Sequence, residues 1–233
     1  ATETASLDEA GPTRSDGPYP RLFSPLRIRN LDLPNRVVLT AMVTRLSAED
    51  GLVNQPIIDR YVRFAKGGAG LIVVEATAVH QARSGPLLRL GEDRFIPGHR
   101  ELVRRAHEAG PGKLALQIIH FLKIARSGWR QTIDMLAPRD LDGIVRDHAA
   151  AAVRAREAGY DAVELHMAHA YTLSSFLSRL NRRPDADGGS GSLVDISEAE
   201  ATGTIDDQTT VQVDTGAALP AITTLTLEAK TNQ

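Results

Sequence analysis

The chain has 233 residues, of which 42% are hydrophobic and 24% charged, and its formal net charge is -2. This balance suits a soluble globular protein that can bury a substantial core in one domain or in one and a fraction. The absence of cysteine excludes disulfides, thiolate metal sites and a cysteine nucleophile, and it fits a reducing, cytoplasmic location.

Both ends of the chain differ in composition from its middle. Residues 1–20 contain Pro, Gly, Ser, Thr and acidic residues but no apolar run, so we expect a flexible segment that is neither a signal peptide nor a membrane anchor. Residues 185–233 hold nine acidic residues against one lysine and no aromatic residue, whereas residues 21–184 are net basic. We expect one folded domain over 21–184 and an acidic, Thr-rich tail, in which 209–214 and 222–229 alternate as short strands do.

The first predicted elements of the folded domain are a strand, a helix and a second strand. Residues 36–42 form a short apolar run that is typical of a buried strand. Asn54 suits the N-cap of a helix that ends at Gly67–Gly68. The apolar face of this helix comprises Ile57, Ile58, Tyr61, Val62 and Ala65. Residues 69–75 then predict a strand that is covered on both faces, as in parallel sheets.

Strands and helices continue to alternate along the chain. Residues 97–109 predict a second helix, 114–119 a third strand, 144–158 a third helix and 162–165 a fourth strand. The resulting order, β-α-β-α-β-α-β, is that of a parallel α/β protein, either a doubly wound sheet or a (β/α) barrel.

Polar residues follow each strand, and their positions favour the barrel. No G-x-G-x-x-G motif follows the first strand, where a dinucleotide-binding doubly wound sheet would carry it. The polar or reactive groups at the strand ends are Thr40 and Met42, residues 75–77, Gln117 and His120, and finally His166, His169 and Tyr171. Barrel enzymes carry their active sites at the carboxyl ends of the strands. The sequence therefore predicts a partial (β/α)8 TIM barrel of about four β/α units.

The group after the fourth strand is the strongest indication of catalysis. His166, His169 and Tyr171 offer two imidazoles and a phenol, which can stabilise a developing oxyanion and supply a proton. A metal-dependent barrel is the alternative, because Glu164 and His166 lie two residues apart on one strand and His169 is near, and carboxylate and imidazole are suitable metal ligands.

Five segments, in order and spacing, carry a resemblance to a known family. They are 22–36 (LFSPLRIRNLDLPNR), 69–77 (AGLIVVEAT), 90–98 (LGEDRFIPG), 114–120 (LALQIIH) and 164–171 (ELHMAHAY), and further matches continue to Ser190. Together they resemble the Old Yellow Enzyme, or NADH:flavin oxidoreductase, family, and within it the subgroup of 2,4-dienoyl-CoA reductase and trimethylamine dehydrogenase. The resemblance covers the N-terminal half of that barrel, including a hairpin ahead of the first strand.

The resemblance implies FMN and NAD(P)H as cofactors and assigns the residues that face the flavin. Ala41, Met42 and Val43 stand where the family has Pro-Met-Thr or Pro-Met-Cys beneath the ring. Ala76 matches a position whose backbone contacts the isoalloxazine, and Gln117 matches the amide that binds its pyrimidine edge. Val43 lacks the hydroxyl or thiol that tunes the flavin potential in relatives.

The resemblance also assigns the catalytic residues. His166 and His169 match the pair that binds a substrate carbonyl oxygen, and Tyr171 matches the tyrosine that protonates the substrate carbon. The implied activity is that of an ene-reductase, in which hydride passes from NAD(P)H through FMN to an activated C=C bond of a small enone or enoyl substrate.

Because only half of a barrel is matched, three interpretations stay open. The chain is an enzyme completed by a partner chain or a homo-oligomer, a non-catalytic half-barrel, or a product with an unrelated tail. We expect neither a nucleic acid nor a membrane as partner.

Overall fold

The structure is a computed structural model that describes residues 19–80, 85–123, 130–178 and 181–183, with the backbone of three short strands further along the chain. Of the flexible segment expected over residues 1–20, residues 1–18 lie outside the described residues, as do the side chains of the acidic tail and its backbone outside those strands. The chain divides into two compact units. The first comprises the residues up to Ile119 together with Ala150–Leu165, and the second comprises His120–Ala149 together with the residues from His166 onward.

A hairpin and a four-stranded sheet form the framework of the first unit. Strands β1 (Leu26–Ile28) and β2 (Leu31–Leu33) pair antiparallel. The sheet consists of β3 (Val38–Leu39), β4 (Leu71–Ala78), β5 (Lys113–Ile119) and β6 (Ala162–Leu165). Its strands are all parallel and lie in chain order. An order that never reverses lacks the switch point of a doubly wound sheet and is typical of a barrel wall.

The rest of the core of this unit comes from three helices. They are α1 (Gln55–Lys66), α2 (Ile96–Ala109) and the second half of α3 (Pro138–Ala158). Helix α1 begins as its sequence predicts, since the Asn54 side chain accepts a hydrogen bond from the Ile57 N–H at 3.2 Å. Helix α1 buries Ile57, Ile58, Tyr61 and Ala65. These side chains share the core with buried strand residues such as Ile72, Val74, Leu114 and Leu116.

Several element bounds differ from the sequence expectation, among them those of β4, which spans Leu71–Ala78 rather than residues 69–75. Two of the differences have local reasons. Strand β3 is confined to Val38–Leu39, because only these residues pair with β4 and the chain beyond them leaves the ladder. Helix α3 begins at Pro138 rather than near residue 144. Proline suits a first helical position, and Asp140 accepts a hydrogen bond from the Ala137 N–H at 2.8 Å, which stabilises that helix start.

The second unit has a small core of its own. Its buried residues are Ile133 and Leu136, at a 3-10 turn (Ile133–Met135), and Ile144 in the first half of α3. Phe176 of the short helix α4 (Thr172–Phe176) packs against them. The guanidinium of Arg183 is buried and donates hydrogen bonds to the carbonyl oxygens of Ile133 and Leu136. These bonds satisfy the carbonyl of the C-capping residue Leu136 and add a second donor to that of Ile133, the first residue of the turn.

Three strands form a separate antiparallel sheet in the acidic tail: β7 (Ala201–Thr204), β8 (Gln208–Val211) and β9 (Leu227–Ala229). Strand β8 overlaps the predicted segment 209–214, β9 lies within the predicted segment 222–229, and β7 was not predicted. Within the part of the chain that the structure describes, no helix combines the length and apolarity needed to cross a bilayer.

Candidate active site

Three side chains that directly follow β6 come together in the second unit. His166 Nε2 and His169 Nδ1 are 3.1 Å apart. The Tyr171 ring contacts both imidazoles edge-on, with centroid distances of 5.4 Å to His166 and 6.2 Å to His169. His166 is buried, Tyr171 is half-buried and His169 is exposed. The three residues that the sequence analysis assigns to catalysis therefore form one cluster.

The hydrogen bonds of the cluster define where its protons lie when both rings are neutral. His166 Nδ1 accepts the Ala168 N–H at 3.2 Å, so the proton of that ring is on Nε2. Nε2–H then donates to Nδ1 of His169. The second imidazole must consequently carry its own proton on Nε2. The exposed His169 Nε2–H is the donor that this arrangement presents outward.

A strained turn places the second imidazole of the cluster. His169 and Ala170 have φ angles of 58° and 55°, in the left-handed region that costs a non-glycine residue on the order of 1 kcal/mol. The Tyr171 N–H closes the turn by donating to the Ala168 carbonyl at 3.2 Å. Ser174 and Ser175 of α4 donate to the carbonyls of Ala168 and Ala170 at 3.0 and 3.1 Å. These bonds hold the strained backbone in place.

His120, which the sequence places at the end of β5, belongs to the second unit. Its Nδ1 lies 2.8 Å from Thr172 Oγ1, and its carbonyl accepts the Thr172 N–H at 3.4 Å. Phe121 packs edge-on against Tyr171 with a centroid distance of 4.7 Å. Residues 120–121 thus hold the first turn of α4 and the phenol at its N-terminus.

In the first unit, the predicted flavin-facing residues lie at the carboxyl ends of β3, β4 and β5. Met42 and Val43 are 56% and 45% exposed, and Ala76 is buried. The β4–β5 register shifts between Val74 and Thr77, so Ala76 lies in a bulge opposite Gln117. Gln117 is half-buried, and its amide donates to Glu164 Oε1 at 2.5 Å. Bulges are frequent beside active sites, where they redirect a backbone or side chain.

One buried network beside these residues was not anticipated from the sequence. The Glu75 carboxylate accepts hydrogen bonds from the N–H and Oγ1 of Thr44, at 2.9 and 2.8 Å. Tyr61 Oη lies 3.4 Å from the same carboxylate and accepts the Glu75 N–H at 2.7 Å. A charged residue inside the apolar run of β4 was the available signal, because buried charges are almost always paired.

The first-unit residues fit a flavin in their chemistry. An exposed apolar pair, Met42 and Val43, suits the face of a flat aromatic ring, and the Gln117 amide offers hydrogen bonds of the kind that the imide edge of that ring requires. Barrels usually bind a cofactor phosphate after strands seven and eight. The residues of the four parallel strands described here suit the ring and not the phosphate.

No group of three or more His, Asp or Glu side chains within the described ranges is arranged to hold a metal ion. Glu164, one of the ligands considered for a metal-dependent barrel, bonds to Gln117. Nothing in these contacts supports the metal-dependent alternative.

Four parallel strands in chain order, with two imidazoles and a phenol directly after the last, are typical of a (β/α)-barrel fold. Solved structures agree. Morphinone reductase in complex with tetrahydroNAD superposes with a TM-score of 0.63 at 28% identity, over 73% of this chain and 56% of that one. Old Yellow Enzyme from Pichia sp., at 21% identity and a TM-score of 0.64, shares the fold. The predicted partial (β/α)8 barrel is confirmed.

The chain belongs to the NADH:flavin oxidoreductase / NADH oxidase family, whose model matches residues 21–193. It is 37% identical to an NADH oxidase of Thermoanaerobacter brockii over 193 residues, which are 74% of this chain and 30% of that protein. An NADPH dehydrogenase of Halalkalibacterium halodurans is 36% identical over 73% of this chain and 55% of its own length. The chain therefore spans about half or less of these curated relatives. Membership of this family implies FMN and NAD(P)H as the cofactors.

Proposed function

We propose that this chain provides the flavin-facing and proton-donating half of an FMN-dependent NAD(P)H oxidoreductase that reduces activated C=C bonds, as an ene-reductase does. The observation that carries the proposal is the contact of His166, His169 and Tyr171 directly after β6. The substrate class is a small enone or enoyl compound, and the cytoplasm is the proposed location because the chain contains no cysteine.

Ala41, Met42, Val43, Ala76 and Gln117 are the residues proposed to hold FMN, which when bound and reduced supplies hydride. The chain's own chemistry concerns the substrate oxygen and a proton. The resemblance assigns both imidazoles to the carbonyl oxygen, but His166 Nε2–H is taken up by His169 Nδ1 at 3.1 Å. In this proposal His169 Nε2–H therefore donates to the carbonyl oxygen, and His166 orients that ring. A preorganised donor of this kind stabilises the negative charge that develops on oxygen by ~3 kcal/mol. Tyr171 delivers its phenolic proton to the α-carbon.

A completed barrel is the second part of the proposal. Strands β3 and β6 each pair with one neighbour among the described strands, and Val163 and Leu165 of β6 are 38% and 49% exposed. Unpaired edges with exposed apolar side chains favour association. We propose that a second copy of this chain or a different partner chain covers this edge. The alternative to an enzyme that is active alone is therefore a half-barrel that is active only with such a partner.

Stopped-flow spectroscopy of the full chain tests the function. Purified protein is titrated with FMN, reduced anaerobically with NADH or NADPH, and reoxidised with 2-cyclohexen-1-one. Tyr171→Phe should slow reoxidation by about 100-fold and leave reduction by the nicotinamide unchanged, because only the second step takes up the phenolic proton. Tyr19→Phe, which alters an exposed tyrosine, is the matched control. A chain that binds no FMN and captures no partner supplying the remaining strands, or a Tyr171→Phe protein that reoxidises normally, would refute the proposal.

A further inference from the structure

The bulge in β4 leaves the Glu75 N–H free of the strand ladder, and a residue of α1, Tyr61, accepts its hydrogen bond. Val74 pairs with Leu116 and Thr77 with Ile118, so that Glu75 and Ala76 together face Gln117 alone. The Glu75 N–H donates to Tyr61 Oη of α1 at 2.7 Å. Tyr61 therefore stabilises the extra residue of the bulge and, with it, the backbone of Ala76.

The carboxylate of Glu75 connects this bulge to the chain that follows β3. Glu75 is fully buried, and its two oxygens accept both hydrogen-bond donors of Thr44. Burial, and next the neighbouring Glu75 carboxylate, raise the pKa of Tyr61 far above its ordinary value, so its hydroxyl stays a donor. Because a buried carboxylate is costly without donors, Glu75 and Thr44 favour one fixed arrangement.

This two-point contact holds a segment that the sheet itself does not hold. The ladder between β3 and β4 ends at Leu39. Residues 40–43 then run without assigned secondary structure to Thr44, where the Glu75 carboxylate fixes the backbone again. Within this segment, Met42 and Val43 are exposed. The two hydrogen bonds between Glu75 and Thr44 thus fix the C-terminal end of the segment that is proposed to lie beneath the flavin.

We propose that Glu75 is a positioning residue for flavin binding, which through Thr44 sets the backbone of residues 41–43 and through the β4 bulge sets that of Ala76. The inference rests on the proposed FMN-dependent function. A site whose backbone is held before the ligand arrives avoids the cost of ordering it on binding.

Two substitutions of the threonine test this role without burying a new charge. Thr44→Val keeps the side-chain shape and removes the hydroxyl, whereas Thr44→Ser keeps the hydroxyl. FMN dissociation constants, measured from the quenching of flavin fluorescence on the full chain, should rise about tenfold for Thr44→Val, as expected for the loss of a hydrogen bond to a charged group. Thr44→Ser should bind within about twofold of the wild type, which a general loss of packing would not produce.

Hydrogen exchange provides a readout that does not need the flavin. In the protein without FMN, the amides of positions 42–44 should exchange faster in Thr44→Val and in Glu75→Gln than in the wild type or in Thr44→Ser. Thermal melts by circular dichroism show whether each variant is folded, and Thr44→Val supports the inference if Glu75→Gln does not fold.

The outcomes separate this inference from the proposed function. If the wild type binds no FMN, either alone or with a partner that supplies the remaining strands, the proposed function fails and the inference with it. If the wild type binds FMN and Thr44→Val binds it equally well, or if Thr44→Ser is as weak as Thr44→Val, the positioning role alone is overturned.

Discussion

The protonation of single buried side chains is set by the partners that folding gives them. The His99 ring on α2 is fully buried between the Tyr160 hydroxyl, 2.9 Å from Nδ1, and the Arg89 carbonyl, 3.1 Å from Nε2. A carbonyl only accepts, so the proton is on Nε2 and the tyrosine hydroxyl donates to Nδ1. The neutral ring satisfies both contacts, and a second proton on Nδ1 would require the Tyr160 hydroxyl to stop donating to the ring and accept instead.

His99 should therefore make the protein sensitive to mild acid. Burial lowers the pKa of His99 to about 4 from an ordinary value of 6.5. Since the unfolded chain takes up this proton first, the free energy of unfolding is undiminished above pH 6.5 and falls as the pH drops toward 4. Linkage gives a total loss of about 3 kcal/mol. Urea unfolding of the wild type and His99→Gln at a series of pH values measures the effect.

The comparison of the two proteins isolates this histidine from the carboxylates. His99→Gln should be less stable at neutral pH, because it changes both buried bonds, and its stability should decline less steeply between pH 6.5 and 4. Two curves that stay parallel over that interval would show that His99 does not carry the acid sensitivity.

Helix α1 depends on one capping residue that also holds the preceding loop. Asn54 Oδ1 accepts the Ile57 N–H at 3.2 Å, and its Nδ2 donates to the Leu46 carbonyl at 2.7 Å. Asn54→Ala removes both bonds and should lower the free energy of unfolding by about 1 to 2 kcal/mol. Asn54→Asp keeps the cap and loses only the bond to Leu46, so chemical denaturation should rank it between the wild type and Asn54→Ala.

The order of the free energies of unfolding of the wild type, Asn54→Asp and Asn54→Ala decides between these two contributions. Equal losses in the two Asn54 variants would mean that the cap contributes nothing and that the bond to Leu46 carries the whole effect.

Helices and central strands follow from sequence because their signals are local. The cap at Asn54, the spacing of Ile57, Tyr61 and Ala65, and the apolar run of β4 each lie within a few residues of one another. The start of α3 was missed because Gly143 interrupts the pattern, while Pro138 and Asp140 marked the true start. Proline at the first helical position was the stronger signal.

The site was predictable in its residue types and not in its backbone. His166, His169 and Tyr171 could be selected as a reactive group after a strand, but their contact depends on positive φ angles at His169 and Ala170, which alanine does not indicate. The bulge at Glu75 and Ala76 lies within an uninterrupted strand pattern, so the network with Tyr61 and Thr44 became visible only in three dimensions.

The parallel sheet of the first unit has the architecture of a barrel wall, but the described strands do not close into a barrel. A closed barrel has no edges, whereas β3 and β6 each have one neighbour here. Side chains on both faces of β6 are exposed: Val163, Glu164 and Leu165. A parallel sheet is normally covered on both faces, so this strand is the place where additional polypeptide would be most favourable.

A charge on that strand should reduce association. Light scattering coupled to size exclusion should give the wild type a mass above its 25.1 kDa chain mass, and this mass should rise with protein concentration. Val163→Lys should have a mass closer to that of the monomer, because a lysine on an edge strand opposes the addition of another strand. Val153→Lys, which alters a 46% exposed valine of α3, makes the same chemical change away from the edge and should associate like the wild type. A wild type that stays at the chain mass at every concentration would exclude self-association. Equal effects of the two lysines would show that charge alone, and not the β6 edge, governs the assembly.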